Sequence, residues 1–235
     1  MSVILVTGGT GAIGSAIAAE FAKTDDVIIT YNSREEQAKR LCTELHCSAV
    51  QADVSDYASA QNAVDKVLRD HGRIDVLVNN AGISQIKLFT DITPEDWQNV
   101  MNVDLNGVYN MTHAAVRSMI NRKSGAIVNI SSVWGVYGGS CESAYSAAKA
   151  GVIGLTKALA RELGASGITV NCVAPGVIDS PMNSSHLTPE ELSELSEQTP
   201  VCRLGQPSEV AKAVRALAEN RFITGQVLGV DGGFC

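Results

Sequence analysis

The chain has 235 residues, 45% hydrophobic and 18% charged, with a net charge of −7. This balance suits a soluble globular protein with a substantial core. It argues against a nucleic-acid partner, which favours a basic surface, and no stretch approaches the ~18 apolar residues of a membrane span.

Short β-rich runs alternate with longer helical patterns. Val3–Val6 reads as a strand, and Ile13–Thr24 as a helix with Ile13, Ile17 and Phe21 on one face. Val27–Tyr31 is the next strand, Arg34–Leu45 a helix, Ser48–Ala52 a strand, Tyr57–His71 a helix and Val76–Val78 a strand. A helical stretch opens at Thr93-Pro94-Glu95, where Thr93 caps and Pro94 suits the first turn. Ala126–Ile130 is a strand, Ser143–Leu163 a long Ala- and Gly-rich helix, and Thr169–Val173 a strand. Thr188 and Glu191 form a capping box. Pro207–Leu217 is helical, and Gln226–Val230 is the last strand.

This alternation, with runs such as Val76-Leu77-Val78, predicts parallel strands buried on both faces. The expected fold is α/β: a single-domain, doubly wound Rossmann fold over residues 1–235, its mainly parallel sheet flanked by helices. Residues 180–200 interrupt the rhythm and read as an inserted substrate lid. Met1 leads directly into the first strand without a basic segment, so no targeting signal is expected and the cytoplasm is the predicted compartment. The six cysteines (42, 47, 141, 172, 202 and 235) lack zinc spacing and are expected as reduced, mostly buried thiols. No metal is expected.

The chemistry begins at Thr7-Gly8-Gly9-Thr10-Gly11-Ala12-Ile13-Gly14, between the first strand and the first helix. Glycines allow close approach to a pyrophosphate, and the helix N-terminus supplies amides and the positive dipole end. The end of the second strand reads Asn32-Ser33-Arg34. An NAD-selective fold usually has an acid there for the ribose 2′-hydroxyl. Here no acid is present, and Arg34 suits a 2′-phosphate. NADP(H) is therefore predicted over NAD(H).

The chain resembles the short-chain dehydrogenase/reductase family nearly end to end. The resemblance rests on the glycine turn, Asp53-Val54, Asn79-Asn80-Ala81-Gly82, Ser132, Tyr145-Ser-Ala-Ala-Lys149 and Pro175-Gly176, each at its expected place between strands and helices. One departure is Ala12, where the family's middle glycine stands. Another is Gly11, where NADP-specific relatives often carry Arg or Lys. The resemblance implies that Asp53 holds the adenine with Val54 beside it. Asn80, Ala81 and Gly82 would line the adenosine ribose side, and Ile178 would meet the nicotinamide amide.

Reduction of a ketone needs a hydride donor and an acid for the developing alkoxide. A free tyrosine has a pKa of ~10, and a nearby ammonium lowers it. Lys149 lies four residues beyond Tyr145, on the same helix face. Alone this is an ordinary surface pair; with Ser132 and the cofactor turn it reads as catalytic. The resemblance gives Lys149 a second task at the nicotinamide ribose, and Ser132 the task of holding the substrate oxygen. Asp104 falls where the family carries a catalytic Asn, with Asn102 and Asn106 pointing elsewhere. It would serve through its main chain.

The chain looks most like the 3-oxoacyl-carrier-protein reductases of fatty acid biosynthesis, from Asn79–Gly82, Gly167–Asn171, Arg203–Gly205 and Asp231-Gly-Gly. The implied substrate is a small ketone or a carrier-bound acyl group, with Arg122 and Lys123 as candidate carrier contacts. A subgroup that reduces the 5-aminopentanone modification on elongation factor P is also similar, through Ser132-Val-Trp134-Gly and Gly139-Ser-Cys141-Glu142. Glu142 would then attract a cationic amine, or else simply favour the helix dipole. A non-catalytic dinucleotide-binding regulator is the reading from another class. Val152, Leu155, Leu159 and Leu163 suit a core or a subunit seam, and the resemblance implies a homotetramer.

Overall fold

A computed structural model describes every residue except Met182, Ser184, Ser185, His186, Leu187 and Cys235. Seven strands form one sheet in the order β3-β2-β1-β4-β5-β6-β7. They are β1 (Val3–Val6), β2 (Asp26–Tyr31), β3 (Ser48–Gln51), β4 (Val76–Asn79), β5 (Gly125–Ile130), β6 (Ile168–Pro175) and β7 (Val227–Val230). Every pairing is parallel, so the sheet is wholly rather than mainly so.

Successive side chains of a strand point to opposite faces, and that period divides the core. Leu5, Ile28, Leu77, Ile127 and Val170 face one layer of helices. This layer comprises α3 (Tyr57–His71), α5 (Gly107–Arg122) and α7 (Ser143–Leu163). Ile4, Val6, Ile29, Val78 and Val128 face the other. It comprises α1 (Ala12–Ala22), α2 (Glu35–Leu45) and α9 (Pro207–Glu219). β1, β4, β5 and β6 are buried throughout, whereas the edge strands β3 and β7 are partly exposed. Continuous apolar runs therefore mark the central strands.

Local signals set the helix ends. Asp56 caps α3, accepting from the Ser59 amide at 2.9 Å, and Gly72 ends it with φ +77°. Thr93 opens α4 (Pro94–Met101) in a capping box with Asp96, and Pro94 takes the first turn. Thr188 and Glu191 cap α8 (Pro189–Gln198) as the sequence predicts. The proposed lid lies partly outside the described residues. On α7, Val152 and Leu163 belong to the core, while Leu155 and Leu159 pack only partly.

Besides two short 3-10 turns, Phe89–Asp91 and Gly164–Ser166, two further elements among the described residues were not foreseen. A short helix, α6 (Val133–Tyr137), follows β5, with Ser132 as its cap. A widened π turn, Asn102–Asn106, lies between α4 and α5. The cysteines also differ from expectation: among those described only Cys172 is fully buried, and Cys202 is exposed. Cys42 and Cys47 lie 3.2 Å apart at the sulfurs, and burial pushes the Cys47 thiol up to about 12.

Candidate active site

β1 pairs with both β2 and β4, so strand order reverses between β1 and β4. Doubly wound sheets bind ligands at the carboxyl ends of strands beside such a reversal. The predicted site residues lie at those ends: Gly8–Gly14 after β1, Asn32–Arg34 after β2, Asp53-Val54 after β3 and Asn80–Gly82 after β4. Ser132 follows β5, and Pro175, Gly176 and Ile178 end or follow β6.

The turn after β1 is shaped by contact. Gly8 has φ +63°, and a Cβ there would lie 2.8 Å from Ala81 Cα. A Cβ on Gly14 would collide with the Gly8 carbonyl and the Asn80 side chain. Thr7 and Asn80 clamp the turn to β4. The Asn80 and Ala81 amides donate to Thr7 Oγ1 at 2.9 and 3.0 Å, and Asn80 Nδ2 donates to the carbonyls of Thr7 and Gly8. This clamping role was not read from the sequence, although a hydroxyl at a strand end facing an Asn is its trace. Thr10 is tied to α2 through its carbonyl, which accepts from Gln37 Nε2 at 2.9 Å. α1 opens after Gly11 without a side-chain cap and without an acid in its first turn. Its leading amides, Ile13 among them, meet the needs of a pyrophosphate. The cradle thus fits a dinucleotide, and Ala12 sits in the helix without displacing it.

Asn32, Ser33 and Arg34 are exposed. The acids that follow, Glu35 and Glu36, are both paired to Lys39 at 3.0 Å. Asp53 Oδ1 accepts from the Ser55 amide and hydroxyl at 2.9 and 2.6 Å, which fixes the carboxylate's orientation. Val54 is buried, and its carbonyl accepts from Asn110 Nδ2 at 2.8 Å. Pro175 and Ile178 are buried. The Gly176 amide donates to Val230, and Ile178 bridges to Gly205.

Tyr145 and Lys149 share one face of α7, and Lys149 Nζ lies 5.5 Å from the Tyr145 ring centroid. The Ser132 hydroxyl accepts from the Trp134 amide at 3.1 Å, and Ser132 pulls the Tyr145 hydroxyl down. Lys149 Nζ donates to the Ile130 carbonyl at 3.1 Å and meets Asp104 Oδ2 at 3.0 Å. Asp104 is fully buried in the π turn, where its Oδ1 also accepts from the Ile83 amide at 2.9 Å. Its side chain is therefore engaged, beyond the main-chain role expected of it. Asn102 and Asn106 bond to each other away from this cluster.

Burial sets the electrostatics. It raises the Tyr145 hydroxyl, and Asp104 and Glu142 raise it further, against the pull of Lys149 and Ser132. Burial works against the Lys149 ammonium, but Asp104 and Tyr145 together hold the amine up. Burial likewise raises the Asp104 carboxyl, opposed by Lys149 and the Ile83 amide.

A buried polar chain fixes the floor of the site. Asn79 Nδ2 donates to Thr112 at 2.9 Å and to Asn129 at 2.8 Å, and Asn129 Nδ2 donates to Thr156 at 2.9 Å. It joins β4, β5, α5 and α7, and so locks the helix that carries Tyr145. Of its members only Asn79 belongs to a motif read from the sequence, and its partners Thr112, Asn129 and Thr156 were not singled out.

The structure places three further residues named from the sequence. Arg122 donates to the Ile74 carbonyl and lies 3.5 Å from Asp75, just before β4. It and Lys123 therefore stand at the opposite end of the strands from the site. Glu142 is partly buried, and burial raises its carboxyl, which makes it a poor anchor for a cation.

The fold and this cluster define a nicotinamide-dinucleotide-dependent oxidoreductase. Residues 9–235 match the family described as Enoyl-(Acyl carrier protein) reductase. The chain is 42% identical to a 3-oxoacyl-[acyl-carrier-protein] reductase of Thermotoga maritima, over 98% of this chain and 96% of the relative. It is 43% identical to the corresponding reductase of Chlamydia muridarum, over 97% and 95%. It is also 43% identical to an acetoacetyl-CoA reductase of Shinella zoogloeoides, over 98% and 97%. The chain belongs to the short-chain dehydrogenase/reductase family. Among the described residues, no helix is long and apolar enough to cross a membrane.

Proposed function

We propose that this protein reduces a 3-oxoacyl thioester, carried on acyl-carrier protein, to the 3-hydroxyacyl thioester with NADPH. The observation that carries this reading is the convergence of Ser132, Tyr145 and Lys149 beside the glycine cradle. The bound dinucleotide supplies a hydride to the ketone carbon. Ser132 and the Tyr145 hydroxyl hold the ketone oxygen, and Tyr145 gives its proton to the oxygen as charge develops there. Lys149 stabilises the phenolate left behind and offers a remaining N–H to the nicotinamide ribose. Asp53 would hold the adenine, with Val54 and Asn80–Gly82 lining the ribose, and Ile178 would border the nicotinamide.

Arg34, exposed where an NAD-selective fold carries an acid, supports the choice of NADPH. The names of the relatives support an acyl thioester substrate. The elongation factor P reading loses support because Glu142 is partly buried and burial raises its carboxyl. A non-catalytic regulator is not favoured by an intact catalytic set in an enzyme family. The reading extends to one domain with a lid over 180–200, a homotetramer and a cytoplasmic location. The exposed Trp97 and Tyr109 of α4 and α5 suit a subunit contact.

The test is NADPH oxidation with acetoacetyl-CoA and with acetoacetyl-acyl-carrier protein. Turnover of both, with lower KM for the carrier-bound substrate, is the expected result. NADPH binding without turnover of either would overturn the substrate assignment.

A further inference from the structure

Asp104 and Lys149 are the charged side chains in the buried set among the described residues, at 0% and 4% exposure. Their contact at 3.0 Å is a close ion pair rather than an incidental neighbour. Gly82 packs directly against it: a Cβ there would lie 2.8 Å from Asp104 Oδ2 and 3.2 Å from Lys149 Nζ. The π turn brings the carboxylate inward, as such widened turns commonly do at functional sites.

A lone ammonium beside a phenol favours the phenolate. A carboxylate seated on that ammonium turns the single charge into a dipole, whose field falls off faster with distance. Lys149 Nζ stands 5.5 Å from the Tyr145 ring centroid and 3.0 Å from Asp104 Oδ2. We propose that Asp104 is a positioning residue that acts through Lys149 to withhold its field from Tyr145 and keep this tyrosine a phenol. This rests on the assignment of Tyr145 as proton donor. Reduction consumes the phenol, and alcohol oxidation requires the phenolate. Asp104 thus sets the pH at which each direction runs, without altering the equilibrium between substrates.

The other groups facing the pair are few. Tyr145 also feels Ser132 from the end of β5, which lowers its hydroxyl, and Glu142 from the start of α7, which raises it. Lys149 faces Cys172 of β6, whose thiol is pushed up to about 11 by burial and stays neutral at working pH. The raised Tyr145 hydroxyl and the ammonium held on Lys149 agree with the geometry.

The test is Asp104→Asn, which removes the charge and keeps an oxygen for the Ile83 amide. Tyr145 is titrated by its phenolate absorbance in the whole protein, each form being read against its own Tyr145→Phe background. The midpoint is expected to fall by about one pH unit, a tenfold gain in phenolate at fixed pH below it. The alkaline loss of reduction and the alkaline rise of oxidation should both move to lower pH by the same amount. If Asp104→Asn folds poorly, Gly82→Ala keeps both charges and pushes the pair apart, and a smaller shift in the same direction is expected. An unmoved midpoint in a stably folded variant, even with activity lost, would reduce Asp104 to a structural role and overturn the proposal. A wild-type protein that turns over no ketone would defeat the proposed function, while the absorbance titration would still decide the role of Asp104.

Discussion

The two ends of the crevice are built from different materials. At the nucleotide end, around β1–β3, the ligand surface is mostly backbone: α1's leading amides, a glycine at φ +63° and carbonyls tied by Thr7, Gln37 and Asn80. At the catalytic end, around β4–β6 and α7, it is side chains: a buried ion pair, a tyrosine and a serine over a buried amide and hydroxyl chain. The difference lies in tolerance. A surface made of many amides loses little when one side chain is changed. A surface made of a few desolvated side chains loses heavily, because each leaves a buried partner unpaired or a proton without a carrier.

The sharpest test of this contrast is Tyr145→Phe. Ketone reduction should fall by about 10²–10⁴-fold, the usual worth of a general acid. NADPH affinity, read by the quenching or transfer of its fluorescence, should stay within about twofold. A large loss of NADPH affinity would mean that the two ends are not separable.

Next in size is Asn129→Ala, which strips partners from Asn79 and Thr156 beneath the catalytic helix. Stability should fall by about 2 kcal/mol, as expected for buried polar groups left unpaired. Urea unfolding at constant m-value reads this directly.

At the nucleotide end, Arg34→Ala should raise the KM for NADPH about tenfold, or ~1.4 kcal/mol, and leave that for NADH unchanged. Equal change in both would remove Arg34 from 2′-phosphate recognition. The smallest effect concerns thiol reactivity away from the crevice, just before β3. With its thiol pushed up to about 12, Cys47 should be alkylated at neutral pH at least about tenfold more slowly than the exposed Cys202. Mass spectrometry of timed digests would show the order.

The strand and helix sequence was legible because local patterns carry it. The α3 and α7 limits were read at their observed residues, and the central strands announce themselves by unbroken apolar runs. Boundaries elsewhere move by one or two residues, where strands extend beyond their most apolar positions, as β6 does to Pro175. The π turn was not legible, because its residues are compatible with an ordinary helix and only packing between α4, α5 and α7 widens it. Arg122 shows the complementary case. A cation read as a surface contact was taken up by a strand-end carbonyl that no sequence window contains.

By itself, then, the sequence determined the alternation of elements, the backbone turn that fits a dinucleotide, and the spacing that places Tyr145 and Lys149 on one helix face. All of these depend on residues close together in the chain, where helical and strand periods dictate geometry. Only the tertiary structure decided that Asp104 pairs with Lys149, that Asn129 bridges Asn79 to Thr156, and that Thr7 holds β1 to β4. Those contacts join residues far apart in the chain. Their energy comes from desolvation and hydrogen bonding in a shared interior, which exists only once the sheet and both helical layers have closed around it.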